Sequence, residues 1–109
     1  MKSILQDENK CLICEMPEVE EHHVFQGFGK REISEREGLK VFLCPFHHRI
    51  GKNSIHFNKE LDLKIKRFAE KKWLEHNNKT IDDFIQLMGK NWLEEENYDT
   101  RMDYSKIKN

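Results

Sequence analysis

The spacing of apolar and polar positions changes period several times along this chain, and each change marks an element. Cys11 and Cys14 enclose only Leu12 and Ile13, and Pro17 follows, which predicts a tight knuckle rather than a helix. Val19 to Phe25 reads as a short strand, with His23 and Phe25 on one face and His22 and Val24 on the other by the two-residue period. Gly27 and Gly29 end it. Ser34 followed by Glu37 matches a capping box and Gly38 a helix stop, which predicts one helical turn over residues 34–37. Leu39 to Leu43 reads as a second strand. Pro45, one residue after Cys44, suits the first turn of a helix carrying His47 and His48, which Gly51 to Ser54 then interrupts.

A longer helix is predicted from Asn58. Leu61, Ile65, Phe68, Ala69 and Trp73 recur at spacings of four, three, one and four along one stripe, and Asn77 and Asn78 close the element. Thr80 with Asp83 is a further capping signal, opening a short helix of Ile81, Phe84, Ile85 and Met88 that Gly89 ends. Trp92 and Leu93 are expected to pack back onto the core, and the polar stretch 94–109 reads as a frayed or partly disordered tail. Two strands with only one helical turn between them, followed by a run of helices, belong to the α+β class.

At 109 residues the chain makes one small domain, of a size at which bound metal often supplements a modest core. Charged residues are 36% of the total and mean hydropathy is -0.87, and no apolar run approaches the ~20 residues of a spanning helix, so a membrane protein is excluded. The opening MKSILQDENK has no signal-peptide apolar core, so the protein is expected to be soluble and cytoplasmic, with its three cysteines reduced rather than paired. Net charge is only -1, but it is unevenly spread. Residues 1–27 hold two basic and six acidic residues, whereas residues 28–72 hold twelve basic and six acidic, a middle region able to meet phosphates or simply to be solvated.

CxxC at Cys11 and Cys14, 29 intervening residues, and CxxH at Cys44 and His47 form two knuckles spaced to close on one tetrahedral ion. Thiolate and imidazole suit zinc, and four protein ligands leave no open position, so the role is structural. His47 is favoured as fourth ligand because CxxH mirrors CxxC, with the adjacent His48 as the alternative. A redox CxxC would leave Cys44 and His47 unexplained.

Five of the six histidines fall between residues 22 and 56, and a zinc site uses only one. The string EVEEHHVF, a glycine-containing loop, LKVFLCPFHH and then SIHFN resembles the HNH, or His-Me finger, nucleases, and is similar to small HNH-like proteins of phage and prophage genomes. The resemblance covers Cys11 to Asn58. It implies a zinc-braced ββα-metal core over residues 11–58 and C-terminal helices over 59–93, a single domain over 1–93 followed by the tail 94–109. It further implies a metal-dependent endonuclease or nickase hydrolysing DNA phosphodiester bonds. Carried over by position, His22 binds the catalytic divalent ion (Mg2+, Mn2+, Ni2+ or Zn2+), His48 and His56 complete that site, and His23 is the general base. The structural Zn2+ falls to Cys11, Cys14, Cys44 and His47. The family's middle Asn, due shortly before the second strand, has Glu37, Gly38 and Leu39 in its place.

The chemistry is coherent on its own terms. Phosphodiester cleavage needs a water made nucleophilic, a base in hydrogen-bond reach and a cation to offset charge on phosphate and leaving oxygen. Glu20 shares a strand face with His22 and is a candidate to orient its imidazole. Arg31, Arg36, Lys40, Arg49 and Lys52 are candidate phosphate contacts, each an ordinary surface residue if taken alone. The competing reading is a non-catalytic zinc module that binds nucleic acid or a protein partner, for instance a phage-borne inhibitor that has kept the scaffold.

Overall fold

Two short strands pair antiparallel and helices pack around them in the computed structural model, which describes residues 1–93. The predicted tail 94–109 lies outside the described residues. In chain order the elements are β1 (Glu20–His23), α1 (Lys30–Glu37), β2 (Lys40–Leu43), α2 (Pro45–His48), α3 (Lys59–Asn77) and α4 (Ile81–Met88). The α+β class is as expected. Among the described residues no helix is long and apolar enough to cross a membrane.

The register sets Glu20 opposite Leu43, Glu21 opposite Phe42, His22 opposite Val41 and His23 opposite Lys40. Pairing stops at His23, two residues short of the predicted strand end. Val24 and Phe25 are both buried, because beyond the ladder the chain no longer alternates. Val24 N–H still donates to the Leu39 carbonyl at 3.0 Å. Phe25 turns to α1 instead: its N–H donates to the Ser34 hydroxyl at 3.1 Å, and that hydroxyl donates to the Phe25 carbonyl at 2.8 Å.

That exchange overturns the capping box predicted at Ser34. The helix begins four residues earlier, at Lys30 after Gly29, and Ser34 lies fully buried in its interior. Ser34 serves a neighbouring strand end rather than its own helix terminus, a tertiary use that local pattern does not distinguish from a cap. The predicted stop holds. Gly38 ends α1 at φ 73, and a Cβ there would lie 2.5 Å from the Lys2 carbonyl, so the N-terminal segment packs directly on a glycine surface.

The later caps match expectation. Asn58 accepts from Leu61 N–H at 3.0 Å at the start of α3, Asn78 closes it in the left-handed conformation, and Thr80 and Asp83 form a reciprocal capping box on α4. Ile65, Phe68, Ala69, Trp73 and Leu74 of α3 enter the core with Phe25, Leu39, Val41, Leu43, Phe84 and Met88. Leu93 is buried and Trp92 stacks 4.7 Å from Phe25, ring centre to ring centre, as its predicted return to the core requires. This apolar layer fixes the sheet, and the sheet carries His22 and His23.

Candidate metal centre and active site

The first knuckle turns tightly enough that Glu15 takes a positive φ of 66, with its N–H donating to the Cys11 carbonyl and Cys11 N–H donating to the Met16 carbonyl, both at 2.9 Å. It docks on β2 through Leu12, whose side chain is fully buried and whose N–H donates to the Phe42 carbonyl at 2.8 Å. The second knuckle is the single turn of α2. Cys44 caps it in an extended conformation, Pro45 occupies its first position, and the N–H groups of His47 and His48 donate to the Cys44 carbonyl. A spacing of three residues puts Cys44 and His47 on one side of that turn, while His48 projects about 100° further round.

Cys11, Cys14, Cys44 and His47 converge so that one ligand atom of each lies within 4.8 Å of all the others. Cys14 Sγ is 3.7 Å from Cys44 Sγ, and His47 Nδ1 is 3.7 Å from Cys11 Sγ and 3.3 Å from Cys44 Sγ. Zinc bonds of about 2.3 Å to sulfur and about 2.0 Å to nitrogen, at tetrahedral angles, give edges of roughly 3.8 Å between sulfurs and roughly 3.5 Å from sulfur to nitrogen. The donor set and its spacing therefore fit a structural ion such as zinc. They also choose between the two histidines: His47 joins the thiols, and His48 turns away to Glu20. Burial pushes the Cys11 thiol up, but N–H groups of Cys44, Cys14 and Ile13 aimed at its sulfur outweigh that and leave it below its ordinary value, favouring the thiolate an ion needs.

His22, His48 and His56 come together on the other side of α2. Ring centres are 5.2 Å apart for His22 and His48, 5.4 Å for His48 and His56, and 6.4 Å for His22 and His56. His56 arrives from a turn: Ser54 closes residues 51–54 on the Gly51 carbonyl, and Ile55 N–H anchors on the His47 carbonyl at 2.8 Å. His22 is buried, its Nε2 has no hydrogen-bond partner, and the Gln26 amide stands 3.3 Å from its Nδ1. Burial first, then the neighbouring His48 and His56, hold its imidazole neutral, down at about 3. Its Nε2 is thus buried without a partner, while the ring nitrogens of His22, His48 and His56 do not close to within 4.8 Å of one another as the Cys11 group does.

Glu20 bonds His48, not the His22 with which it shares a strand face. Its Oε1 accepts from His48 Nδ1 at 2.8 Å and its carboxylate takes a forked contact from Arg49 at 2.9 to 3.1 Å. Arg49 and then His48 hold this carboxyl at about 2. His48 Nε2 is thereby left free.

Comparison with family models, with curated proteins and with solved structures finds no match.

His23, on the opposite face of β1, donates from Nε2 to Glu35 Oε1 of α1 at 2.8 Å. It lines a cleft with Phe28, Gly29, Arg31, Glu32 and Glu35, at whose mouth Phe28 is fully exposed. Of the proposed phosphate contacts, Arg31 stands in this cleft and Lys52 is exposed on the turn after α2. Arg36 pairs with Glu37 at 3.3 Å, Arg49 is held by Glu20, and Lys40 is buried between Glu35 and Glu21 at 3.0 and 3.5 Å. Lys59 and Lys66 of α3, not singled out from the sequence, line a second cleft with His22, His56 and Asp62. Only a three-dimensional fold brings that helix face beside the strand pair, so no local pattern marked them.

Proposed function

We propose that this chain is a metal-dependent endonuclease of the HNH type, cleaving DNA phosphodiester bonds with His23 as general base and braced by zinc at Cys11, Cys14, Cys44 and His47. The observation that carries the reading is that the rings of His22, His48 and His56 are neighbours, 5.2 to 6.4 Å apart between centres, and that Nε2 of buried His22 is unpaired. Three imidazoles with a carboxylate behind one of them form a recognisable donor set for a divalent ion.

A divalent cation bound there would offset the charge that builds on the phosphate and the leaving oxygen. The chain supplies the rest. His22 offers Nε2, and the Gln26 amide can meet either tautomer of that ring, since its oxygen and nitrogen exchange places on rotation. Glu20 engages Nδ1 of His48, which leaves Nε2 as the nitrogen it can offer an ion. His23, next along the strand, lies in a separate cleft with Arg31, so the reading requires a phosphodiester that spans the strand end to bring its attacking water within reach of His23, with Lys59 and Lys66 beside His22 as countercharges for the phosphates.

The test is nicking of supercoiled plasmid by purified protein with Mg2+, Mn2+ or Ni2+, together with metal analysis. The reading expects one zinc plus a second divalent ion per chain, nicking by the wild type, and none by His23→Ala with its zinc retained. Equal cleavage by both proteins removes His23 as the base. Zinc alone, with no cleavage, leaves the non-catalytic module.

A further inference from the structure

We infer that Glu35 is a positioning residue that locks His23 in the tautomer carrying its proton on Nε2, so that Nδ1 is the atom that accepts a proton in the cleft, and that Lys40 holds Glu35 in place to do so. The inference rests on the nuclease reading for its purpose, but its structural half stands on contacts alone.

Glu35 Oε1 lies 2.8 Å from His23 Nε2. An ionised carboxylate only accepts, so the shared proton belongs to the imidazole. The contacts from His23 and then Lys40 keep this carboxyl ionised, down at about 2. A neutral imidazole that donates from Nε2 has its lone pair on Nδ1. The base atom is therefore assigned by a hydrogen bond on the opposite edge of the ring.

The carboxylate is itself fixed from two directions. Its other oxygen accepts from Lys40 Nζ at 3.0 Å and from the Met1 ammonium at 3.1 Å. Lys40 sits directly opposite His23 in the strand register, and its side chain is only 8% exposed, so its ammonium is packed rather than free to swing. The backbone bearing Glu35 is held by Ser34, bonded to both backbone polar groups of Phe25, two residues after His23. Glu21, His23 and Glu35 also have the spacing of a metal group, but the Lys40 ammonium lies between the two carboxylates, 3.5 Å from Glu21 and 3.0 Å from Glu35. The cluster thus carries its own cation and serves the histidine.

The experiment combines long-range proton–nitrogen NMR of the His23 ring with plasmid nicking, on the zinc-loaded full chain at a pH where histidine is neutral. Wild type should show the Nε2–H form. Glu35→Ala should show a mixture of tautomers and lose at least about tenfold in nicking rate, an orienting carboxylate in a hydrolase triad being worth more than that. Glu35→Gln, which keeps an acceptor oxygen, should restore the tautomer and raise the rate above that of Glu35→Ala. Lys40→Met should loosen the tautomer preference while leaving the Glu35 side chain present. An Nδ1–H form in the wild type, or an unchanged Nε2–H form in folded, zinc-loaded Glu35→Ala, overturns the proposal. A wild type with the expected tautomer but no nicking in any metal sinks the nuclease reading while leaving the positioning of His23 by Glu35 established.

Discussion

Glu20 Oε1 accepts a hydrogen bond from His48 Nδ1 at 2.8 Å, and the same carboxylate is gripped by Arg49. Strand and helix are tied together at this point, 28 residues apart in sequence. The bond fixes which nitrogen of His48 is offered to the cluster with His22 and His56. Glu20→Ala should therefore weaken binding of a second divalent ion by roughly 10- to 100-fold, the usual effect of losing a carboxylate behind a ligating histidine. Titration calorimetry with Ni2+ or Mn2+ on zinc-loaded protein measures it. Unchanged affinity would mean that His48 is not a ligand, or that its orientation is set elsewhere.

The Cys11, Cys14, Cys44 and His47 cluster, which fits a zinc ion, makes a separate prediction that discriminates between adjacent histidines. His47→Ala should release the ion and lower stability by more than about 3 kcal/mol, a fall in Tm of roughly 15 °C or more for a domain of this size. His48→Ala should keep one zinc per chain and melt close to the wild type. Metal content by atomic emission and thermal melting by circular dichroism decide it, and zinc loss from His48→Ala alone would reverse the ligand assignment.

What was legible in the sequence was whatever depends on neighbours along the chain. The cluster of Cys11, Cys14, Cys44 and His47 announces itself because two close pairs have metal-ligand spacing, and Asn58, Thr80 and Gly89 announce helix ends because a cap is satisfied within four residues. Tertiary partners were illegible. Ser34 has the local signature of a cap, yet its hydroxyl is taken by Phe25. Glu20 shares a face with His22, yet the turn of α2 brings His48 nearer. Lys40 reads as a surface cation because cross-strand register, which sets it beside His23 and under Glu35, is not a property of its own segment.

Ser34 carries the third prediction. Replacing it by Ala leaves the N–H and carbonyl of buried Phe25 without the hydroxyl that serves both. An unsatisfied buried backbone group costs about 1–3 kcal/mol, so Ser34→Ala should be destabilised by at least that much in urea unfolding, with zinc retained. A change below about 0.5 kcal/mol, the range of ordinary surface substitutions, would show that the bridge between β1 and α1 contributes little.

Glu70 sets the pH dependence. It lies fully buried in α3, where Oε1 accepts from Trp92 N–H at 2.8 Å and Oε2 has no partner. Burial pushes its carboxyl from 4.5 up to about 7, against the pull of the Trp92 and Leu93 N–H groups. The folded state therefore holds this proton more tightly than the unfolded chain does. The associated stability is complete below pH 4.5 and is lost as pH rises through about 7. The gap corresponds to on the order of 3 kcal/mol. Glu70→Gln keeps an acceptor for Trp92 but has nothing to ionise, so it should match the wild type near pH 4.5 and exceed it by up to about 3 kcal/mol above pH 8. All other groups are common to both proteins and cancel in the difference. Urea unfolding of the pair at intervals from pH 4.5 to 8.5 checks this, and parallel stability curves would show that Glu70 stays ionised in the folded core.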